Sequence, residues 1–273
     1  MTEPLVVKLG GDVVADPSVL NNLLTDVASY VRTGNRVVMI HGGGPQATAL
    51  TRRLGLEAIM VGGRRITSPE TLEVMKMTLG GSVSVDLAAA CRAVGLPGVA
   101  VSGVSVGLVN AVKRPARIVS GCGPDPVDFG EVGDVKSVNV AAIHALLDAG
   151  FVPIISSLAA TDEGRVLNIN GDIVACDVAI ALNAACLILL TAVDGVFEDL
   201  SNPTTRLAHL RVAEARALID SDTVHGGMIP KLEESFRALK AGVGKVRICA
   251  VGHPHVISHA LEDVFDFGTT LVA

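Results

Sequence analysis

The chain has no tryptophan, one tyrosine and six phenylalanines, so aromatic residues make up only 3 % of its 273 positions. A core so poor in rings must be built from valine, isoleucine, leucine and alanine. Stacking on bases, a main device of single-strand nucleic-acid binders, has little to work with. Basic charge is short as well. Lys and Arg number 22 against 28 Asp and Glu, a net charge of −6, which leaves no basic footprint for nucleic acid. An anionic small molecule is still admissible, provided that local groups hold it. The five cysteines (Cys91, Cys122, Cys176, Cys186 and Cys249) fall in no C-x-x-C or Cys/His ligand spacing. They read as small buried hydrophobes of a reducing compartment, and no metal site is expected from protein ligands. No apolar run is long enough to cross a bilayer, and no basic n-region or cleavage-site pattern precedes the first strand. A soluble, cytoplasmic protein without membrane or nucleic-acid partners is the expectation. Two familiar nucleotide signatures are also missing: the P-loop G-x-x-x-x-G-K-[ST], and a G-x-G-x-x-G linking an early strand to its helix.

What is abundant is aliphatic residues and glycine: 49 % hydrophobic positions and 29 glycines. Apolar runs alternate with stretches of 3.6 periodicity along the whole length. Strands are expected at 5–11, 36–44, 98–103, 151–159, 186–193, 245–251 and 269–273. Helices are expected at 18–34, 45–55, 138–150, 172–184, 212–221, 231–242 and 255–263, with one long or broken helix over 68–95. Residues 104–138, rich in Gly, Pro and Val, read as a small antiparallel flap. So many crossovers predict an α/β fold, a mostly parallel sheet covered on both faces. No Pro- or Ser-rich linker divides the chain, and a functional division is placed near residue 170.

Open α/β sheets bind ligands at the carboxyl ends of their strands. Four polar or glycine-rich stretches fall there: "KLGGD" (8–12), "HGGGP" (41–45), "SSLAATDEG" (156–164) and "TAVDGV" (191–196). Lys8, near the end of a rigid strand, is either a snorkelling side chain or a fixed charge suited to a transferring phosphoryl group. Gly10 and Gly11 let phosphates approach backbone N–H groups. "HGGGP" extends that logic into a helix N-terminus, which attracts anions; His41 itself reads as structural. In "GGRRIT" (62–67), Arg65 is the inward candidate for a bidentate carboxylate contact. In "NINGD" (168–172), Asn168 and Asn170 share one face of an extended segment, and Asp172 opens a helix. Capping is the ordinary role for Asn170 or Asp172. "HGGMIPK" (225–231) adds Lys231 at a helix start.

These stretches, with "VSG", "KRPA" and the terminal "GTTL", resemble in order and spacing the amino acid kinase family, and within it the branch acting on N-acetyl-L-glutamate. The resemblance covers essentially the whole chain. It implies a three-layer αβα sandwich around a mainly parallel, roughly eight-stranded sheet. It further implies an acyl-amino-acid and dimerisation lobe at 1–170 and an ATP lobe at 171–273. Lys8, Lys231 and Asp172 match the family's catalytic positions. Gly43, Gly44, Arg65 and Asn168 match substrate-holding positions. Gly10, Gly11, Thr191, Ala192, Val193, Asp194, Gly195, Val196, Thr223, Val224 and His225 match ATP-binding ones. The implied reaction is transfer of the γ-phosphoryl of ATP, with Mg²⁺ carried mostly on ATP oxygens, to the γ-carboxylate of N-acetyl-L-glutamate in arginine biosynthesis.

Three positions depart from the family pattern. Ser82 and Ser84 stand where relatives often carry Lys and Asn, and Ser105 where an Asp commonly follows "SG". The chain also lacks the extra N-terminal helix through which arginine-inhibited relatives join dimers into hexamers. A homodimer little affected by arginine is therefore expected, its seam on the helix at 68–92, where Met75, Met77 and Leu79 serve either the seam or the core. Nothing in the residues indicates a PII-type regulator. Two rivals stand beside this reading: a kinase of the same fold acting on carrier-linked aminoadipate or glutamate, and a catalytically silent nucleotide-binding regulator. A dinucleotide oxidoreductase lacks its fingerprint.

Overall fold

In the computed structural model, which describes residues 3–119, 123–221, 223–224, 226–259, 261–262 and 267–272, strand β1 (Leu5–Leu9) buries both of its faces. Leu5, Val7 and Leu9 enter one apolar cluster and Val6 the other, as the two-residue period of a strand requires. The same split runs through β2 (Val37–His41), where Val37 and Met39 oppose Val38 and Ile40. Two-sided burial of this kind is the mark of a parallel sheet between helices.

The remaining strands are β3 (Met60–Val61), β4 (Arg64–Arg65), β5 (Gly98–Ser102), β6 (Val109–Lys113), β7 (Gly133–Val138), β8 (Val152–Ser156), β9 (Leu158–Ala160), β10 (Val166–Asn168), β11 (Cys186–Thr191), β12 (His209–Arg211), β13 (Lys245–Ala250) and β14 (Thr269–Val272). The helices are α1 (Gly11–Ala15), α2 (Pro17–Arg32), α3 (Gly44–Arg53), α4 (Pro69–Met75), α5 (Val83–Ala93), α6 (Val140–Asp148), α7 (Gly171–Ala181), α8 (Val212–Asp220) and α9 (Met228–Lys240). Eight strands form one sheet in the order β12-β14-β13-β11-β1-β2-β8-β5. Every neighbouring pair is parallel except β13 with β14. One face is packed by α6, α7 and α9 through Ile143, Val174, Val178 and Leu232. The other is packed by α2 and α5 through Leu24, Val27, Leu87 and Cys91. This is the expected three-layer α/β sandwich. Each fully buried aliphatic side chain contributes roughly 1.5–3 kcal/mol by leaving water.

The chain leaves β1 for β2 on one side and returns to β11 on the other, so β1 is the point where strand order reverses. Ligands bind at such switch points. The three turns after β11, β1 and β2 stand side by side: "TAVDGV", "KLGGD" and "HGGGP". A second sheet, β10-β9-β6-β7, and the β3-β4 hairpin lie in the stretch between α3 and α7. The antiparallel β6-β7 pair, with a bulge between Asn110 and Ala111, realises the expected flap.

The stretch 68–95 is broken, not continuous. Ser68 caps α4 by accepting the Thr71 N–H, a π-helical segment spans Lys76–Ser82, and Gly81 leaves helical geometry at φ −107°, ψ −106°. Met75 and Leu79 belong to the core, whereas Met77 is half exposed. The helix expected at 255–263 does not form over its described residues. His255 takes φ +59°, and the buried Asp26 carboxylate on α2 captures the Ile257 N–H (2.7 Å) and the Ser258 hydroxyl. A side-chain acceptor there competes with helical hydrogen bonding. The short α1 and β12 have no periodic signal long enough to read in advance.

Candidate active site

Lys8 shares a strand face with Val6, the face covered by α7. Asn170 caps α7 by accepting the Asp172 N–H at 2.8 Å, which leaves the Asp172 carboxylate free in the first helical turn. There it meets two cations from distant parts of the chain. Lys8 Nζ lies 2.9 Å from Oδ1 and Lys231 Nζ 2.8 Å from Oδ2. At an effective dielectric near 20, each contact carries about 5–6 kcal/mol of attraction before desolvation. Burial pushes the Asp172 carboxyl upward, yet the two ammonium charges outweigh it and hold the group well below the usual carboxylate range. Burial pulls the Lys231 ammonium down, helped by Lys8 and opposed by Asp172, with a net lowering. Lys231 also sits in the first turn of α9, the end where the helix dipole disfavours a cation. Folding alone has little reason to place two ammoniums on one carboxylate.

The cluster opens into a cavity of about 600 Å³ lined by Lys8, Gly10, Gly11, Gly42–Gly44, Arg65, Asn168, Asp172 and Lys231 among others. The glycines of its two turns serve different ends. A Cβ on Gly11 would come within 2.5 Å of Pro45 Cδ, so this glycine lets the turns after β1 and β2 pack together. Gln46 Nε2 donates to the Gly11 carbonyl at 2.7 Å and ties the same junction. A Cβ on Gly43 would meet Leu79 Cδ2 at 2.8 Å, whereas Gly42 and Gly44 face open space. The result is bare backbone at the N-terminus of α3, a favourable place for a phosphate.

Arg65 lines one end of the cavity from β4. Its Nη2 donates to Thr48 Oγ1 (2.7 Å) and the Gly44 carbonyl (3.2 Å), while its buried Nη1 has no partner among the described residues. Burial lowers its pKa, although a guanidinium stays charged. A buried guanidinium nitrogen left open calls for an anionic or carbonyl ligand. Asn168 lines the same end, its Nδ2 donating to Thr67 Oγ1 at 3.1 Å. At the opposite end the cavity is lined by Gly10, Thr191, Val193, Gly195, Val196, Thr223 and Val224.

A model of the amino acid kinase family matches residues 3–250. An acetylglutamate kinase of Sorangium cellulosum is 45 % identical over 271 residues, covering 99 % of this chain and 95 % of that one. The chain belongs to the amino acid kinase family. Among solved structures, a Streptococcus mutans protein superposes with TM-score 0.81 at 28 % identity, covering 100 % of both chains. An N-acetylglutamate synthase of Neisseria gonorrhoeae, solved with coenzyme A and N-acetyl-glutamate, gives TM-score 0.80 at 25 % identity. It covers 99 % of this chain and 59 % of its own.

Within this amino acid kinase, two expected nucleotide positions stand away from the cavity. Ala192 does not line it. Asp194 turns instead to the strand next door, accepting the Ala250 N–H (3.2 Å) and lying 2.9 Å from His253 Nε2. His225 lies outside the described residues. Asn170 plays the capping role that was its ordinary reading. Arg114, Phe129, Ser157, Phe197, Leu200 and Met228, none of them assigned a role from the sequence, also line the cavity. Ser157 could have been found, since it follows β8 at a strand end already singled out. Arg114 is nearly buried and paired with Asp134 at 2.6 Å, an arrangement that depends on the β6-β7 pairing and has no local signal. Of the three departures, Ser84 contacts His41, Ser105 accepts the Ser102 N–H, and Ser82 stays beside the Thr78 carbonyl.

Proposed function

We propose that this chain catalyses transfer of the γ-phosphoryl group of ATP to the γ-carboxylate of N-acetyl-L-glutamate, giving ADP and an acyl phosphate. The observation that carries the reading is the meeting of Lys8 and Lys231 on Asp172, opposite bare glycine backbone. The acceptor carboxylate is ionised at neutral pH, so no general base is required. One of its oxygens attacks Pγ as the bond from Pγ to the β–γ bridging oxygen breaks. Work is then reduced to in-line positioning and charge neutralisation. Lys8 and Lys231 face the non-bridging and bridging oxygens, and Asp172 keeps both ammoniums aimed before the nucleotide arrives. The N–H groups at Gly43 and Gly44 take the other side. Arg65, through its open Nη1, grips the non-reacting α-carboxylate, and Asn168 holds the acylamino end.

No group of three His, Cys, Asp or Glu that could hold a metal occurs among the described residues. Mg²⁺ would be carried mostly on nucleotide oxygens, as this ion commonly is. When bound, it supplies charge shielding to the phosphates. Residues 1–170 would serve the acyl amino acid and 171–273 the nucleotide, whose base and ribose fit the end lined by Val193, Val196 and Val224. A cytoplasmic homodimer completes the proposal, its seam on the broken helix at 68–92 and the edge strand β5, where Met77 in the π-helical segment and Val85 on α5 expose apolar surface.

The test is ATP-dependent formation of a hydroxamate from N-acetyl-L-glutamate in hydroxylamine, run beside aspartate, glutamate, carbamate and aminoadipate derivatives. Turnover on N-acetyl-L-glutamate is expected to lead. Preference for a carrier-linked substrate, or no turnover with any, would overturn the proposal.

A further inference from the structure

His41 ends β2 directly before the three glycines and is completely buried. Its Nδ1 lies 3.0 Å from the Gly42 carbonyl oxygen, and its Nε2 lies 3.0 Å from Ser84 Oγ. A carbonyl oxygen can only accept, so Nδ1 must carry a proton, whichever charge the ring bears. Burial pulls the ring pKa down, which favours the neutral form. Ser84 Oγ, beside Nε2, donates its single hydroxyl proton to the Leu79 carbonyl at 2.6 Å.

The contact with Gly42 has a consequence one bond further on. The Gly42–Gly43 peptide is trans and planar, so its C=O and N–H point in opposite directions. With the carbonyl drawn toward the buried imidazole, the Gly43 N–H points the other way, toward the cavity that Gly43 lines. No backbone carbonyl among the described residues accepts from it; the turn's own bond is Gly42 N–H to Leu9 O, at 3.3 Å. Leu79, which packs against Gly43, is fixed through the same Ser84 hydroxyl.

We propose that His41 is a positioning residue for phosphoryl transfer, its Nδ1–H holding the Gly42 carbonyl so that the Gly43 N–H is aimed at the transferring group. The inference rests on the glycine turn being the phosphate cradle of the proposed function. It extends that reading to a residue that touches no substrate.

Two substitutions separate aiming from mere packing. In His41→Asn the side-chain amide can take the place of Nδ1, and in His41→Gln it can take the place of Nε2. His41→Asn is expected to stay within about threefold of the parent kcat, while His41→Gln loses roughly 10- to 100-fold, part of the effect of deleting an oxyanion donor. Both should raise the KM for N-acetyl-L-glutamate less than twofold. Equal losses in the two variants, or loss confined to KM, would overturn the proposal. Nitrogen-15 NMR of the parent protein provides a readout that needs neither turnover nor a folded variant. A protonated Nδ1 is expected, and a ring carrying its proton on Nε2 alone overturns the assignment. If the parent shows a protonated Nδ1 but makes no hydroxamate, the functional reading has failed while the clamp on Gly42 stands. Affinity for AMP-PNP, weaker in His41→Gln than in His41→Asn, then tests whether the clamp serves phosphate binding; equal affinities would reject it.

Discussion

Replacing Lys231 with methionine and Asp172 with asparagine should move stability and turnover in different ways. The cluster holds two cations and one anion, all nearly buried. Lys231→Met leaves Lys8 paired with Asp172, so charge balances within the cluster and a methionine stem replaces a lysine stem of similar length. Unfolding free energy should stay within about 1 kcal/mol of the parent. Asp172→Asn instead leaves two ammoniums side by side without a counter-ion. Loss of a buried partner of this kind costs about 3–5 kcal/mol. Turnover follows a different logic, because each lysine is assigned a developing charge in the transition state. Removing one such contact lowers kcat by about 10²–10³, or 2.7–4 kcal/mol of barrier. Urea denaturation with linear extrapolation gives the first quantity and the hydroxamate assay the second. If Lys231→Met unfolds as easily as Asp172→Asn, the lysines are counter-ions of a structural carboxylate, and the catalytic assignment fails.

Three further outcomes are expected. Gly11→Ala should destabilise by about 1–3 kcal/mol, since its Cβ would meet Pro45 within 2.5 Å, whereas Gly44→Ala, facing open space, should keep the parent denaturation midpoint and lose turnover; the reverse pattern would refute the division of labour among the glycines. Arg65→Gln should raise the KM for N-acetyl-L-glutamate by roughly 10- to 100-fold, the weight of a charged hydrogen bond, and leave the KM for ATP in place, as initial-rate kinetics can show. Asp172 has a folded pKa depressed below its ordinary value of 3.8, so its stabilisation is complete above that value and fades as pH falls through the folded one. The stability gap between the parent and Asp172→Asn should therefore be level from neutral pH down to about 4 and close only below it; a gap that already closes near pH 6 would contradict the ion cluster.

The alternation of "LVVKL" and "VVMIH" with helical stretches was enough to foresee two-sided burial and a parallel sheet, because period and length are local properties. The position of Lys8 at a strand end was equally legible. That its partner would be Asp172, and that Lys231 would complete the cluster, rested on family resemblance, since no local pattern encodes a contact across 164 or 59 residues. The helix expected at 255–263 failed for a related reason: its apolar spacing is real, but the Asp26 carboxylate, more than 200 residues earlier, takes the N–H of Ile257. Asp194 shows the same limit at the site. Its place after β11 suggested a nucleotide contact, and the neighbouring β13 claims the carboxylate instead. Arg114 depends on strand pairing in the second sheet and gave no sign of its burial.

The most direct measurement is a crystal structure with ADP, N-acetyl-L-glutamate and a planar mimic of the phosphoryl group. The two ammonium nitrogens of Lys8 and Lys231 should each lie about 2.7–3.1 Å from the mimic or its bridging oxygen. A complex in which either ammonium stays on Asp172 alone, out of reach of the mimic, would contradict the account.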